Sequence, residues 1–94
     1  VQSLTELLRD SAARPAVAAA EALGKLRNPA TVQALAAALE HADASVRLAS
    51  AIALGAIGDR DAMPALRKAA ACDTDGDVRA AAREAIGLID PRVR

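Results

Sequence analysis

The chain has 94 residues, 12 basic and 12 acidic, so its formal net charge is zero and no basic field steers a polyanion toward it. Hydrophobic residues make up 53% of the chain, yet Phe, Tyr and Trp are absent and 27 positions are Ala. That length suits one compact domain, while the composition excludes an aromatic platform for single-stranded nucleic acid, a disulfide framework and any apolar run long enough to span a membrane.

The first segment places Val1, Gln2, Leu4 and Leu8 at the spacing that returns as Val32, Gln33, Leu35 and Leu39. It reads as the second helix of a unit whose first helix is absent. A longer helix is expected over 13–25, with Ala12 at the cap position and Pro15 in the first turn, where its missing N–H goes unused. After the turn Arg27-Asn28-Pro29, Val32, Leu35, Ala38 and Leu39 predict a second helix over 30–41. Asp43 then caps a helix over 44–56, in which Val46, Ala49, Ala53, Leu54 and Ile57 form one apolar stripe. The turn Gly58-Asp59-Arg60-Asp61 leads into a helix over 61–71, with Asp61 as expected cap and Pro64 in the first turn. Asp75 caps the last helix, over 76–88, and Asp77 suits its N-terminal dipole. Asp90-Pro91 and a stub ending at Arg94 complete the chain.

These elements repeat. Gly24 and Gly55 are 31 residues apart and Gly55 and Gly87 are 32 apart, a period that marks a solenoid whose units bury apolar surface only against neighbours. The expected divisions are a partial unit 1–12, units 13–43 and 44–75, and a partial unit 76–94. Because the chain starts at Val1, and because Leu4, Leu7, Leu8 and Val93 supply no polar outer face, a slice of a longer array is expected. Each glycine, near a helix end, is expected at a C-terminal cap or a close helix contact.

The stretches Asp43-x-x-Val46-Arg47, Ala53-Leu54-Gly55-x-Ile57-Gly58-Asp59 and Ala62-Met63-Pro64-Ala65-Leu66 resemble the short HEAT-like repeats of bilin-lyase type. Asp75-x-x-Val78-Arg79 and Ala85-Ile86-Gly87-x-Ile89 repeat the pattern, so the resemblance covers the whole chain. It implies an all-α solenoid of about six helices stacked as antiparallel pairs into a right-handed superhelix. It also implies a concave face, made by the second helices, that binds other proteins. A few such relatives attach tetrapyrroles, hydroxylate a lysine-derived residue or bind DNA, and fold alone does not choose among these.

Individual residues argue against chemistry. Arg47 and Arg79 recur directly after a buried Val, which suits an internal ladder to a turn acid such as Asp43, Asp59 or Asp75 better than a row of ligand-binding cations. His41 is the single histidine and stands at a helix end, where a basic group suits the dipole; no paired spacing for a metal surrounds it. Cys72 has no base or helix N-terminus near it in sequence to activate it. Glu21 and Glu84 lie two units apart, too far for an acid/base pair, and no phosphate-loop pattern surrounds the glycines. No catalytic residue, cofactor or metal is therefore expected.

What remains is surface. The exposed side of the second helices presents Gln2, Thr5, Glu6 and Arg9, then Gln33, Ala36, Ala37 and Glu40, then Arg67, Lys68 and Ala71. The candidate partner-binding residues are Gln33, Ala37, Glu40, Arg67 and Lys68; Asp43, Val46, Arg47, Gly55, Asp59, Pro64, Asp75, Val78, Arg79 and Gly87 are the structural motif. The expected function is a non-catalytic protein-interaction scaffold in the cytoplasm, its partner another protein, a neighbouring domain or a second copy through the end helices. An accessory domain of a bilin lyase is the alternative; nucleic-acid binding is disfavoured by the neutral charge.

Overall fold

A computed structural model describes residues 4–93, apart from the side chain of Val93, and places Val1 and Gln2 outside that range. Six α-helices run α1 (Leu4–Leu7), α2 (Ala13–Leu26), α3 (Val32–Ala38), α4 (Ala44–Ile57), α5 (Met63–Cys72) and α6 (Gly76–Ile89). Short 3₁₀ turns at Pro29–Thr31, Arg60–Ala62 and Pro91–Val93 follow the long helices. The result is an all-α solenoid, 41 × 27 × 16 Å. The long helices pack side by side in the order α2, α4, α6, while α1, α3 and α5 each pack on the long helix that follows.

The long helices follow expectation to within a residue or two. The second helices do not. Each opens with a 3₁₀ turn, so the α-helical parts begin at Val32 and Met63, and α3 ends at Ala38. The cap differs accordingly: Asn28 and Asp59, rather than Asp61, accept the first free N–H groups, those of Ala30 and Asp61. Asp90 takes the same role with the Arg92 N–H. A side-chain acceptor two residues ahead of a free N–H stabilises a tight turn as well as a helix start, and so competes with Asp61 for the cap.

The core is aliphatic. Leu35, Leu54, Leu66, Val46 and Val78 are fully buried, as are Ala16, Ala20, Ala51, Ala62 and Ala82. Leu8 is buried too, and Leu4 and Leu7 pack half-buried against the same cluster, so α1 turns its leucines inward rather than exposing them.

Gly24 and Gly55 are contacts rather than caps. A Cβ added at Gly24 would lie 3.0 Å from both Cα and Cβ of Ala53, and one at Gly55 would lie 3.0 Å from the Ala85 Cβ. Helices end instead at Arg27, φ 52°, and Gly58, φ 76°, whose N–H groups bond back to the carbonyls of Leu23 and Leu54. Gly→Ala inside a helix ordinarily gains about 1 kcal/mol. Gly55→Ala is expected to lose about 1–2 kcal/mol in a urea melt instead, because α6 must move outward. Gly76→Ala, whose Cβ would meet Arg79 Nη2 at 3.5 Å, should be neutral or slightly stabilising.

Candidate interaction surface

The recurring arginine works inside the stack. From α4, Arg47 grips Asp73 through Nε–Oδ2 at 2.9 Å and Nη2–Oδ1 at 3.3 Å, and its Nη1 donates to the carbonyls of His41 and Ala42. The two side chains are only 13% and 6% exposed. The acid is thus Asp73, at the turn into α6, and not Asp43, Asp59 or Asp75. Asp43 is committed to Ser45, whose hydroxyl and backbone N–H hold its carboxyl below the usual range. Asp75 caps α6 through the N–H groups of Asp77 and Val78. Burial alone would raise the Asp73 pKa, but the Asp75 N–H and the Arg47 guanidinium outweigh it and hold the carboxyl below its ordinary value.

His41 joins two turns. Its Nδ1 accepts the Asp43 N–H at 3.0 Å, so Nε2 carries the proton and donates to the Asp10 carbonyl at 2.7 Å. The ring bridges the first and second turns. Among the described residues no three His, Cys, Asp or Glu side chains converge as a metal site. Cys72 is exposed at the last residue of α5. Glu21 and Glu84 are exposed on α2 and α6, with α4 packed between those helices.

Gln33, Ala37, Glu40, Arg67 and Lys68 are all exposed on α3, α5 and the turn between α3 and α4. Gln33, Ala37 and Glu40 share a groove of about 570 Å³ with Thr5, Arg9 and His41. Glu40 and Lys68 line an adjoining one of about 220 Å³ with Ala36, Ala65 and Cys72. A Glu40–Lys68 pair of 3.0 Å spans the two units, with its side chains 71% and 70% exposed. So open a pair adds little stability and re-forms with other groups at low cost. Arg67 lines neither groove.

A second concavity escaped the sequence reading. Between α2 and α4 an apolar groove of about 550 Å³ is lined by Val17, Leu48, Ile52 and Ala56, with Glu21, Lys25 and Arg27 among its polar residues. The signal was present: Ile52, 59% exposed, occupies the repeat position held by Glu21 and Glu84.

At the far end, Asp90 accepts from Arg92 at 3.1 Å and from Arg60 at 3.1 Å. The Arg92 guanidinium foremost, then its N–H and Arg60, overcome burial and lower the Asp90 pKa from 3.8 to about 2. A group with a depressed folded pKa stabilises fully above its unfolded value and loses that stabilisation as pH falls toward the folded one. Stability should therefore decline between pH 3.8 and about 2. Asp90→Asn keeps an oxygen for the Arg92 N–H, as Asn28 does for Ala30, and should flatten that decline in melts taken across this range.

A layered stack of paired helices, with turns joined by Arg, Asp and His, defines an α-solenoid of repeated units. The chain belongs to the HEAT repeats, whose family profile matches residues 1–87. It is similar to the phycocyanobilin lyase subunit alpha of Picosynechococcus sp., 53% identical over 49 residues. Those residues are 52% of this chain and 18% of that relative, so the likeness spans under a fifth of the relative's length. Among the described residues no helix is long and apolar enough to cross a membrane.

Proposed function

We propose that the chain is a non-catalytic scaffold that binds another protein through the face formed by α3, α5 and the turn after α3. The observation that carries this reading is the division of labour among the side chains. Residues that recur (Arg47, Asp75, Gly55, Val46) are engaged in the stack, while Gln33, Ala37, Glu40 and Lys68 line two grooves and Arg67 is exposed on the same helix as Lys68. A solenoid with a fixed inner frame and a free outer face recognises partners by that face. The test is capture of binding proteins with wild type, Ala37→Arg and Ile52→Arg. Proteins retained by wild type and Ile52→Arg but lost with Ala37→Arg support this face; loss only with Ile52→Arg assigns binding to the α2–α4 groove instead.

A second reading is an accessory role in bilin attachment. It is favoured by the likeness to a phycocyanobilin lyase subunit and by the apolar groove between α2 and α4, whose size suits a small apolar ligand. Titration with phycocyanobilin decides it: a saturable change in the visible absorbance, abolished by Ile52→Arg, supports the reading, and an unchanged spectrum contradicts it.

A further inference from the structure

The outer face of the long-helix layer carries apolar surface that the packing of the chain does not use. Ile52, 59% exposed at the middle of α4, stands where two grooves meet. One, of about 550 Å³, runs between α2 and α4; the other, of about 260 Å³, runs between α4 and α6 and is also lined by Leu88, which is 57% exposed. Half-buried Val17 and Leu48 continue the apolar surface along the first groove. The close contacts Gly24–Ala53 and Gly55–Ala85 form the two floors.

The repeat sets the side chains of this face in rows. Glu21, Ile52 and Glu84 share one row, and Lys25, Ala56 and Leu88 share the next, one helical turn on. Glu21 and Lys25 are exposed, and among the described residues neither belongs to an ion pair. A pairing of the two along α2 would be solvated, and exchanges at little cost for one across a contact. Each kind of side chain therefore has its complement one turn away: acid and base on α2, large and small on α4.

We propose that this face pairs with a second copy of the chain about a two-fold axis that crosses the long helices between the two rows. Such an axis lays α2 on α2 and α4 on α4, antiparallel. Glu21 of each copy then meets Lys25 of the other, and Ile52 of each copy fills the space over Ala56 of the other. At the edge, Leu88 of each copy lies against α6 of the other, with the Glu84 carboxylates in water at the rim. A two-fold contact requires one face to carry both halves of every pair, and it closes at a dimer. A different protein would have to bring a matching pattern, whereas a second copy carries it already. A two-layer molecule of 41 × 27 × 16 Å has faces wide enough for the roughly 800 Å² that a stable contact takes from each partner. Further units at either end of the stack would lengthen this face without covering it. The face formed by α3 and α5 belongs to the other layer and stays open in the dimer.

Sedimentation velocity on the 94-residue chain, from about 10 µM to about 1 mM, tests this. The weight-average mass should rise with concentration and level off at twice the monomer. Ile52→Arg should be a monomer throughout, with circular dichroism confirming that it is folded. Glu21→Lys and Lys25→Glu each set like charges against one another twice, and each should weaken pairing about 10-fold or more. The two single variants should associate when mixed, and the double variant Glu21→Lys/Lys25→Glu should regain pairing by itself, because both arrangements restore opposite charges across the axis. A wild-type monomer at every concentration overturns the proposal, and so does growth beyond the dimer. Association that survives Ile52→Arg, or that is indifferent to both charge substitutions, also overturns it, since the contact then lies elsewhere or in another register.

Discussion

Leu54→Ala is expected to lower the unfolding free energy by about 3 kcal/mol, read as a shift of the urea midpoint with unchanged slope. Leu54 is fully buried on α4, the central helix of the long layer, which packs against both α2 and α6. About half of the buried cluster that holds it is alanine, including Ala20, Ala51 and Ala82, too short to collapse into a space left behind. A core of Ala depends on its few large residues, because each methylene of Leu contributes roughly 0.8 kcal/mol and Ala has none to spare. Ile86, the equivalent residue on α6, is 8% exposed, and the same truncation there should cost less. A loss under about 1 kcal/mol at Leu54 would contradict its place in the seam.

Asp73→Ala should cost about 2–3 kcal/mol by the same measurement. It removes both prongs from Arg47, leaving a guanidinium 13% exposed with only the carbonyls of His41 and Ala42, and it frees the Asp75 N–H at the start of α6. Asp73→Asn separates these effects. Its amide oxygen can still accept from Asp75, so what it loses is the charge pairing, and it should cost less than Ala. Equal losses for the two would mean that the Asp75 N–H contact adds nothing and the charge pairing with Arg47 accounts for the whole cost.

The sequence announced the long helices through three features that act locally: a capping Asp at 43 and 75, a stripe of apolar side chains, and a period of about 31 residues. The partner of Arg47 was not legible. Three acids stand closer to motif positions than Asp73 does, and which one meets the guanidinium depends on how adjacent units are offset. The ring contact of His41 was hidden for a related reason. Its place just past the end of α3 is local, but its ring meets the turn of the preceding unit, 31 residues away. The glycines show the reverse case: the residue type was clear, and Ala53 and Ala85 at the facing positions decided between cap and contact. The five candidate surface residues are exposed, but the α2–α4 groove was missed because one Ile in a row of Glu reads as an isolated exception.

The central claim is that the recurring Arg and Asp are joints of the frame, which leaves recognition to the variable face. The most direct test is a double-mutant cycle on Arg47 and Asp73, using Arg47→Met, Asp73→Ala and both together in urea melts. A coupling of about 1.5 kcal/mol or more is the predicted result. Additivity within about 0.5 kcal/mol would show that the pair holds nothing together, and would return Arg47 to the surface as a candidate for binding.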